Sequence, residues 1–389
     1  MCASFHLCQY SSNWQHLVFT MALIQPIRFI SQDKSQFYST LHNRVEAYFK
    51  EKGLSKYANR EVVIKTVVLI SAYLLPLVLN IWIQPAFGWS LALWALMGVA
   101  MAGVGMSIMH DANHGAYSPN PRINTLVGYS LTLLGGSISN WKWQHNHLHH
   151  TFTNIAHYDD DIADKPALRL SPHTEVKTVH RFQWLHAILI YCLVTLYWVT
   201  AKDFLQFARY TRNGVNKNAA PENRVLLAKI IGVKLFYFTT FLALPILSGL
   251  PVWEVIAGFL LMHAIGGTIL TVIFQLAHSV EETTFPLPNE HGIIENEWAI
   301  HQMNTTVNFS RQNRCLSWYA GGLNFQVEHH LFPKICHVHY PRIADIVQRT
   351  AAEFHVPYLE HKSFARALRS HFATLRHFGK LPDMDEMMG

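Results

Sequence analysis

Four stretches of roughly twenty residues pass almost without charge, at about residues 66–83, 87–109, 225–247 and 252–277. At about 1.5 Å per residue each is long enough to cross a hydrocarbon core about 30 Å thick. Gln84-Pro85 breaks the first pair and Ser248-Gly249-Leu250-Pro251 the second, so the spans read as two hairpins. Lys229 and Lys234, near the start of the third span, have stems long enough to snorkel. Only 14% of the chain is charged and half is hydrophobic, against about 25% charge in a soluble domain. That excludes a disordered chain. Five cysteines with no C-x-x-C pair give neither a disulfide framework nor a thiol metal site. A net charge of +6 without a basic, aromatic-interleaved stripe gives no nucleic-acid partner.

Charge also sets the sidedness. Residues 28–65 carry eight Lys or Arg, whereas the connectors at 84–87 and 248–251 carry none. The positive-inside rule then places both termini in the cytoplasm and the two short connectors outside. A further apolar piece at 185–200 has basic flanks on both sides, which keep it on the cytoplasmic face. Residues 125–138, too short to span and containing Gly135-Gly136, predict a re-entrant or interfacial helix. Helix-like pieces at 342–354 and 364–378 are expected to cap the membrane part. Residues 1–27 lack signal-peptide order, and Met21 is the expected start of the native chain. The expected fold is an all-α integral membrane protein of four transmembrane helices in two hairpins, with interfacial helices and a cytoplasmic helical cap. A polar segment (1–60) precedes the membrane and catalytic domain (61–345), and a helical tail (346–389) follows it.

Histidine is the anomaly: 25 residues, as many as Asp and Glu together, gathered in clusters. His110 and His114, at the end of the second span, stand at i and i+4 on one helical face. His145 and His149 repeat that spacing, with His150 one step round. Gln326, His329 and His330 stand at i, i+3 and i+4, and His278 ends the last span. Such a pair alone is more often solvated or hydrogen-bonded, and an isolated histidine at a helix end commonly caps a carbonyl. Here every cluster falls on the cytoplasmic side. Eight imidazoles without thiolates exceed what one tetrahedral zinc uses, so two metals are implied; Zn, Cu, Fe and Ni all suit imidazole.

The segments H-D-A-N-H (110–114), H-N-H-L-H-H-T (145–151) and Q-V-E-H-H-L-F-P (326–333), in that order, resemble the three histidine boxes of the membrane fatty acid desaturases and their hydroxylase relatives. The likeness extends over roughly residues 60–345. Gln326 replaces the histidine that opens the third box in many acyl-CoA desaturases, which resembles the front-end, linoleoyl-CoA type branch. G-G-L-N-F-Q-V-E-H-H-L-F-P and C-H-V-H-Y-P resemble its bacterial members. The resemblance implies two non-haem iron ions, with O2 as co-substrate, held by His110, His114, His145, His149, His150, His278, His329 and His330. Gln326, Asn324 and Asp111 are expected beside these ligands, and no catalytic side chain apart from them. His147 is left out of the set, while His337, His339 and His157 are expected at the surface or in support.

A methylene has no acidic proton and no leaving group, so side-chain acid–base or nucleophilic chemistry cannot dehydrogenate it. The resemblance therefore implies an O2-dependent di-iron desaturase, introducing a cis double bond into an acyl chain carried on a lipid or coenzyme A. A hydroxylase of an alkane, sterol or lipid would use the same boxes. A metal-ion transporter, from another class, would want ionisable residues midway along the spans, where only His263 and Glu254 stand out. No His-Pro-Gly-Gly tetrapeptide of a fused cytochrome domain occurs, so a separate ferredoxin or cytochrome b5-like donor, with its reductase, is expected. Arg342, Arg349, Lys362, Arg366 and Arg369 give the tail a basic surface for such a carrier, for membrane lipids or for substrate phosphate. The bacterial inner membrane is the expected location.

Overall fold

The computed structural model describes residues 27–30, 36–163 and 166–382, so the proposed start at Met21 lies outside the described residues. The chain is mostly helical. Two pairs of two-residue parallel strands, Arg28–Phe29 with Ile293–Ile294 and Asn308–Phe309 with Glu360–His361, staple loops together. Helix α1 (Phe37–Lys52) precedes α2 (Arg60–Ile83) and α3 (Phe87–His114). Helical segment α4 (138–152) carries the second histidine cluster. Then follow α5 (Thr178–Arg212), α6 (Ala220–Leu247) and α7 (Val252–His278). Helices α8 (Gln326–Leu331), α9 (Tyr340–Glu353) and α10 (Phe364–Phe378) complete the cap.

Among the described residues five helices are long and apolar enough to cross a membrane, one more than the four spans expected: α2, α3, α5, α6 and α7. The fifth is α5, in which the apolar piece at 185–200 is continuous with polar turns at either end. Local sequence sets the helix limits. Asn59 caps α2 by accepting from the Val62 N–H at 3.1 Å, and Gln84, at φ 46°, ends it. Glu222 accepts from the Ala219 N–H at 2.9 Å and closes the first turn of α6. The expected short helix near 125–138 is two pieces, Pro121–Gly128 and Ser130–Leu133, before Gly135-Gly136.

The membrane core forms where α3 crosses α7. In lipid no hydrophobic effect pulls helices together, so close contact depends on small residues. A Cβ on Gly258 would stand 2.1 Å from the Trp94 ring, and one on Gly98 2.6 Å from the Met262 carbonyl oxygen. Trp94, Met97, Tyr73, Phe241 and Phe259 fill the space around this crossing. Trp82, Trp89 and Trp253, beside the two short connectors, are 85%, 73% and 59% exposed. They mark that end as the level where amphipathic rings meet headgroups.

The cap has its own core. Phe37, Leu41, Val45 and Phe49 of α1 recur every fourth residue and pack on Ile343, Ala344, Val347 and Ala351 of α9. The stretch described only as polar from its charge thus contains an amphipathic helix. α9 and α10 match the expected pieces at 342–354 and 364–378 closely.

The crossing gives a first prediction. Gly98→Val forces α3 and α7 apart, costing about 1–3 kcal/mol as overpacking does, and lowers the thermal midpoint in detergent. Gly232→Ala, with nothing within 4 Å of the added Cβ, keeps or raises the midpoint, since glycine inside a helix is disfavoured. Equal midpoints for the two variants would contradict the packing described.

Candidate metal centre

Backbone geometry at one end of the helix bundle, where α3 and α7 finish beside α4 and α8, turns the histidines toward one another. His110 and His114 sit on the last turns of α3, after a π-helical stretch at Val104–Ile108, with ring centroids 4.6 Å apart. In α4 the π-helix Lys142–His149 bonds i to i+5 and widens the turn. Positions i+4 and i+5 then share a face, so His145, His149 and His150 are all buried. The start of α4 is pinned from outside: the Asp203 carboxylate accepts from the Ser137 N–H at 3.0 Å, and Asn140 donates to the Asp203 carbonyl at 2.7 Å. Lys234 Nζ, 2.5 Å from Asp203, also donates to the carbonyls of Gly135 and Trp198.

Two sets of ring nitrogens result. His110, His114, His145 and His329 present one nitrogen each within 4.8 Å of one another, and His149, His278 and His330 do the same. His150 lies between the sets, its ring centroid 4.8 Å from His114 and 4.4 Å from His330. The outward nitrogens are held by acceptors. Nδ1 of His149 meets both Asp159 oxygens at 3.1 Å, and that of His278 the Thr305 carbonyl at 3.2 Å. Nδ1 of His330 meets Gln302 Oε1 at 2.8 Å, and that of His329 the Tyr340 hydroxyl oxygen at 3.1 Å. Acceptors there fix the proton on Nδ1 and leave the Nε2 lone pair facing inward.

Apart from Nε2 of His110 and of His145, which stand 3.0 Å from each other, the inward nitrogens have no protein partner. Nε2 of His114, His149, His278, His329 and His330, and both nitrogens of His150, are buried without a hydrogen bond. An unsatisfied buried polar atom costs about 1–3 kcal/mol, so seven together call for a ligand. Convergent neutral imidazole suits a borderline transition-metal cation. Burial, and then the neighbouring imidazoles, push His145, His150, His329 and His330 well below the ordinary histidine range, keeping them neutral. His149 goes the other way: burial opposes its charge, but Asp159 and Asp161 prevail and raise it to about 9.

A third set, Asp111, Cys336 and His337, also lies close together, but hydrogen bonds fill it. Asp111 Oδ2 accepts from His337 Nδ1 at 2.7 Å and from the Cys336 thiol at 3.0 Å. The buried Lys65 ammonium stands 2.7 Å from His337 Nε2 and would repel a cation. This chain ties α2 to α3, with an Asp111 oxygen 3.8 Å from His110 Nδ1.

Gln326 is buried with both amide atoms unpartnered, on the same face of α8 as His329 and His330. Asn324 bonds Ser317 Oγ at 2.9 Å and the Ser310 carbonyl at 3.4 Å, fixing the turn before α8. His147 and His157 are exposed, whereas His337 and His339 are buried. Lys65, Asp159, Gln302 and Tyr340 escaped the sequence reading. Only Asp159, in an acidic run ten residues past His149, left a signal in the sequence.

Apolar helices that bring eight imidazoles together at one end define a membrane protein with donors for two metal ions. Residues 86–362 match the fatty acid desaturase family model. The sn-1 linoleoyl-lipid 6-desaturase of Synechocystis sp. is 35% identical over 89% of this chain and 96% of its own length. That of Arthrospira platensis is also 35% identical, over 89% and 94%. An acyl-lipid (8-3)-desaturase of Physcomitrium patens is 34% identical over 91% and 74%. The chain belongs to the fatty acid desaturase family, in its front-end branch, and resembles the cyanobacterial type.

Asp159→Asn weakens the hold on His149 and lowers metal affinity about 10–100-fold, as loss of an outer partner does. Chelator competition on purified protein measures this. His147→Ala, at an exposed ring, retains full affinity, and equal affinity in the Asp159 variant would remove Asp159 from the centre.

Proposed function

We propose that the chain is an acyl-lipid desaturase whose two imidazole sets hold two iron ions. His110, His114, His145 and His329 bind one, and His149, His278 and His330 the other, with His150 between them. The observation that carries this assignment is the group of buried, unpartnered Nε2 atoms. Gln326, whose buried amide has no partner, stands beside the ligands on α8. Bound iron with O2 supplies an oxidant able to take hydrogen from an unactivated methylene. The balance is –CH2–CH2– plus O2, two electrons and two protons giving –CH=CH– and two waters.

The protein holds the donors in place before reaction. Asp159, Gln302, Tyr340 and the Thr305 carbonyl fix four rings by their Nδ1 atoms. The Lys65–His337–Asp111 chain ties α3 to the cap. Phe274, with its ring 6.0 Å from His145 and 6.4 Å from His110, gives the apolar wall against which a methylene lies.

Four helices cross the membrane in this reading, and α5 lies along the cytoplasmic boundary. Both its ends join elements on the histidine side. Gln183 donates to the Leu375 carbonyl at 2.7 Å, and Gln206 donates to Gln144 at 2.7 Å and Asp160 at 3.0 Å. A helix anchored so at both ends does not change sides. With basic segments inside, the catalytic face is cytoplasmic, at a bacterial inner membrane. Residues 61–345 then form the catalytic domain, with 346–389 as its tail.

Electrons come from a separate ferredoxin or cytochrome b5-like carrier and its reductase. Arg342 and Arg349, exposed on α9, offer an acidic carrier a surface near Tyr340, which touches His329.

Expression in a host supplied with linoleate tests the activity. The expected product is a fatty acid two mass units lighter, absent from a His149→Ala control. Products heavier by one oxygen would support the hydroxylase, and identical profiles with well-expressed protein would refute both.

A further inference from the structure

A cavity of about 440 Å³ opens at the N-terminal end of α10, just beyond α7, and holds both charge signs. Its buried floor is His361 and Ser370, 2% and 4% exposed. Ser370 donates to a Glu282 oxygen at 3.2 Å and accepts from the Glu281 N–H at 3.0 Å. His361 Nε2 stands 3.1 Å from the same Glu282 oxygen. Arg366 and Arg369, three apart on one face of α10, line the wall. Among the described residues no hydrogen bond or ion pair occupies either guanidinium. The Glu281 carboxylate is equally unengaged among them.

The cavity also lies beside the end of the membrane-spanning helix α7 that carries His278. Phe364, Leu368 and Phe372, on the apolar side of the same helix, pack on a cluster with Leu270, Ile273 and Leu276 of α7. Phe274 belongs to that cluster and touches the His110 and His145 rings. A continuous set of partly buried apolar side chains therefore lies between the charged cavity and the histidines.

We propose that this cavity receives the headgroup of a zwitterionic phospholipid, its phosphate on Arg366 and Arg369 and its ammonium toward Glu281 and Glu282. The acyl chain then follows Phe364, Leu368 and Phe372 to Phe274. Guanidinium forks match phosphate oxygens in paired hydrogen bonds. The two carboxylates oppose an anion without a cationic partner, which favours ethanolamine over glycerol as the headgroup. This inference rests on the acyl-lipid reading above and names the lipid class that its site takes.

The test uses the full chain in nanodiscs with its electron supply, comparing linoleoyl phosphatidylethanolamine with linoleoyl phosphatidylglycerol. In the R366Q/R369Q double variant the KM for the ethanolamine lipid rises about tenfold, and kcat stays within about twofold. Glu281→Gln raises the KM for the ethanolamine lipid and not for the glycerol lipid. Lys380→Gln, an exposed charge outside the cavity, changes neither. Native mass spectrometry shows the ethanolamine lipid retained by the wild type and lost from the double variant. Millimolar inorganic phosphate leaves KM unchanged; competition at that level would mark a free-phosphate site and overturn the headgroup assignment. An unchanged KM in the double variant, with the wild type active on lipid, would overturn it while leaving the desaturase reading intact. A wild type that acts on acyl-coenzyme A and on neither lipid would overturn the acyl-lipid reading, and this inference with it.

Discussion

The imidazoles at the centre are buried with their inward nitrogens unsatisfied, and the rest of the molecule is organised around that constraint. A low-dielectric site makes an unpaired polar atom expensive, and seven such nitrogens lie together. The protein satisfies the other side of four of the rings instead, with acceptors on Nδ1 of His149, His278, His329 and His330. The arrangement is one of oriented imidazole donors facing a common interior.

The scaffold follows from that need. Two helical hairpins bring α3 and α7 together through Gly98 and Gly258, so His110, His114 and His278 end at one level. The π-helix of α4 turns three histidines inward where a regular turn would spread them. The cap delivers His329 and His330 from far along the chain, and α1 closes over it through Phe37, Leu41, Val45 and Phe49. Buried charge pairs fix the joints: Lys234 with Asp203 behind α4, and Lys65 through His337 with Asp111 behind α3. Removing one partner of such a pair leaves a buried charge uncompensated, so each joint is costly to break.

The sequence disclosed the apolar spans and the three histidine clusters because both are local patterns, read within a turn or a run of residues. It did not disclose Gln302 or Tyr340, whose contacts with His330 and His329 depend on tertiary packing and leave no local spacing. The helix α1 was hidden by its charged face, since eight basic residues between 28 and 65 masked a four-residue apolar repeat. The length of α5 escaped for a related reason: polar turns at both ends made only its apolar middle visible. His337 shows the limit of motif reading. Its neighbours Cys336 and Tyr340 gave a recognisable segment, but the buried Lys65 that meets it lies 272 residues earlier.

The most direct test of the central claim is X-ray absorption and metal analysis on the purified, iron-loaded protein. The account predicts about two irons per chain, each in a shell dominated by imidazole nitrogen, with no sulfur scatterer. One metal per chain, or a shell rich in thiolate, would contradict it.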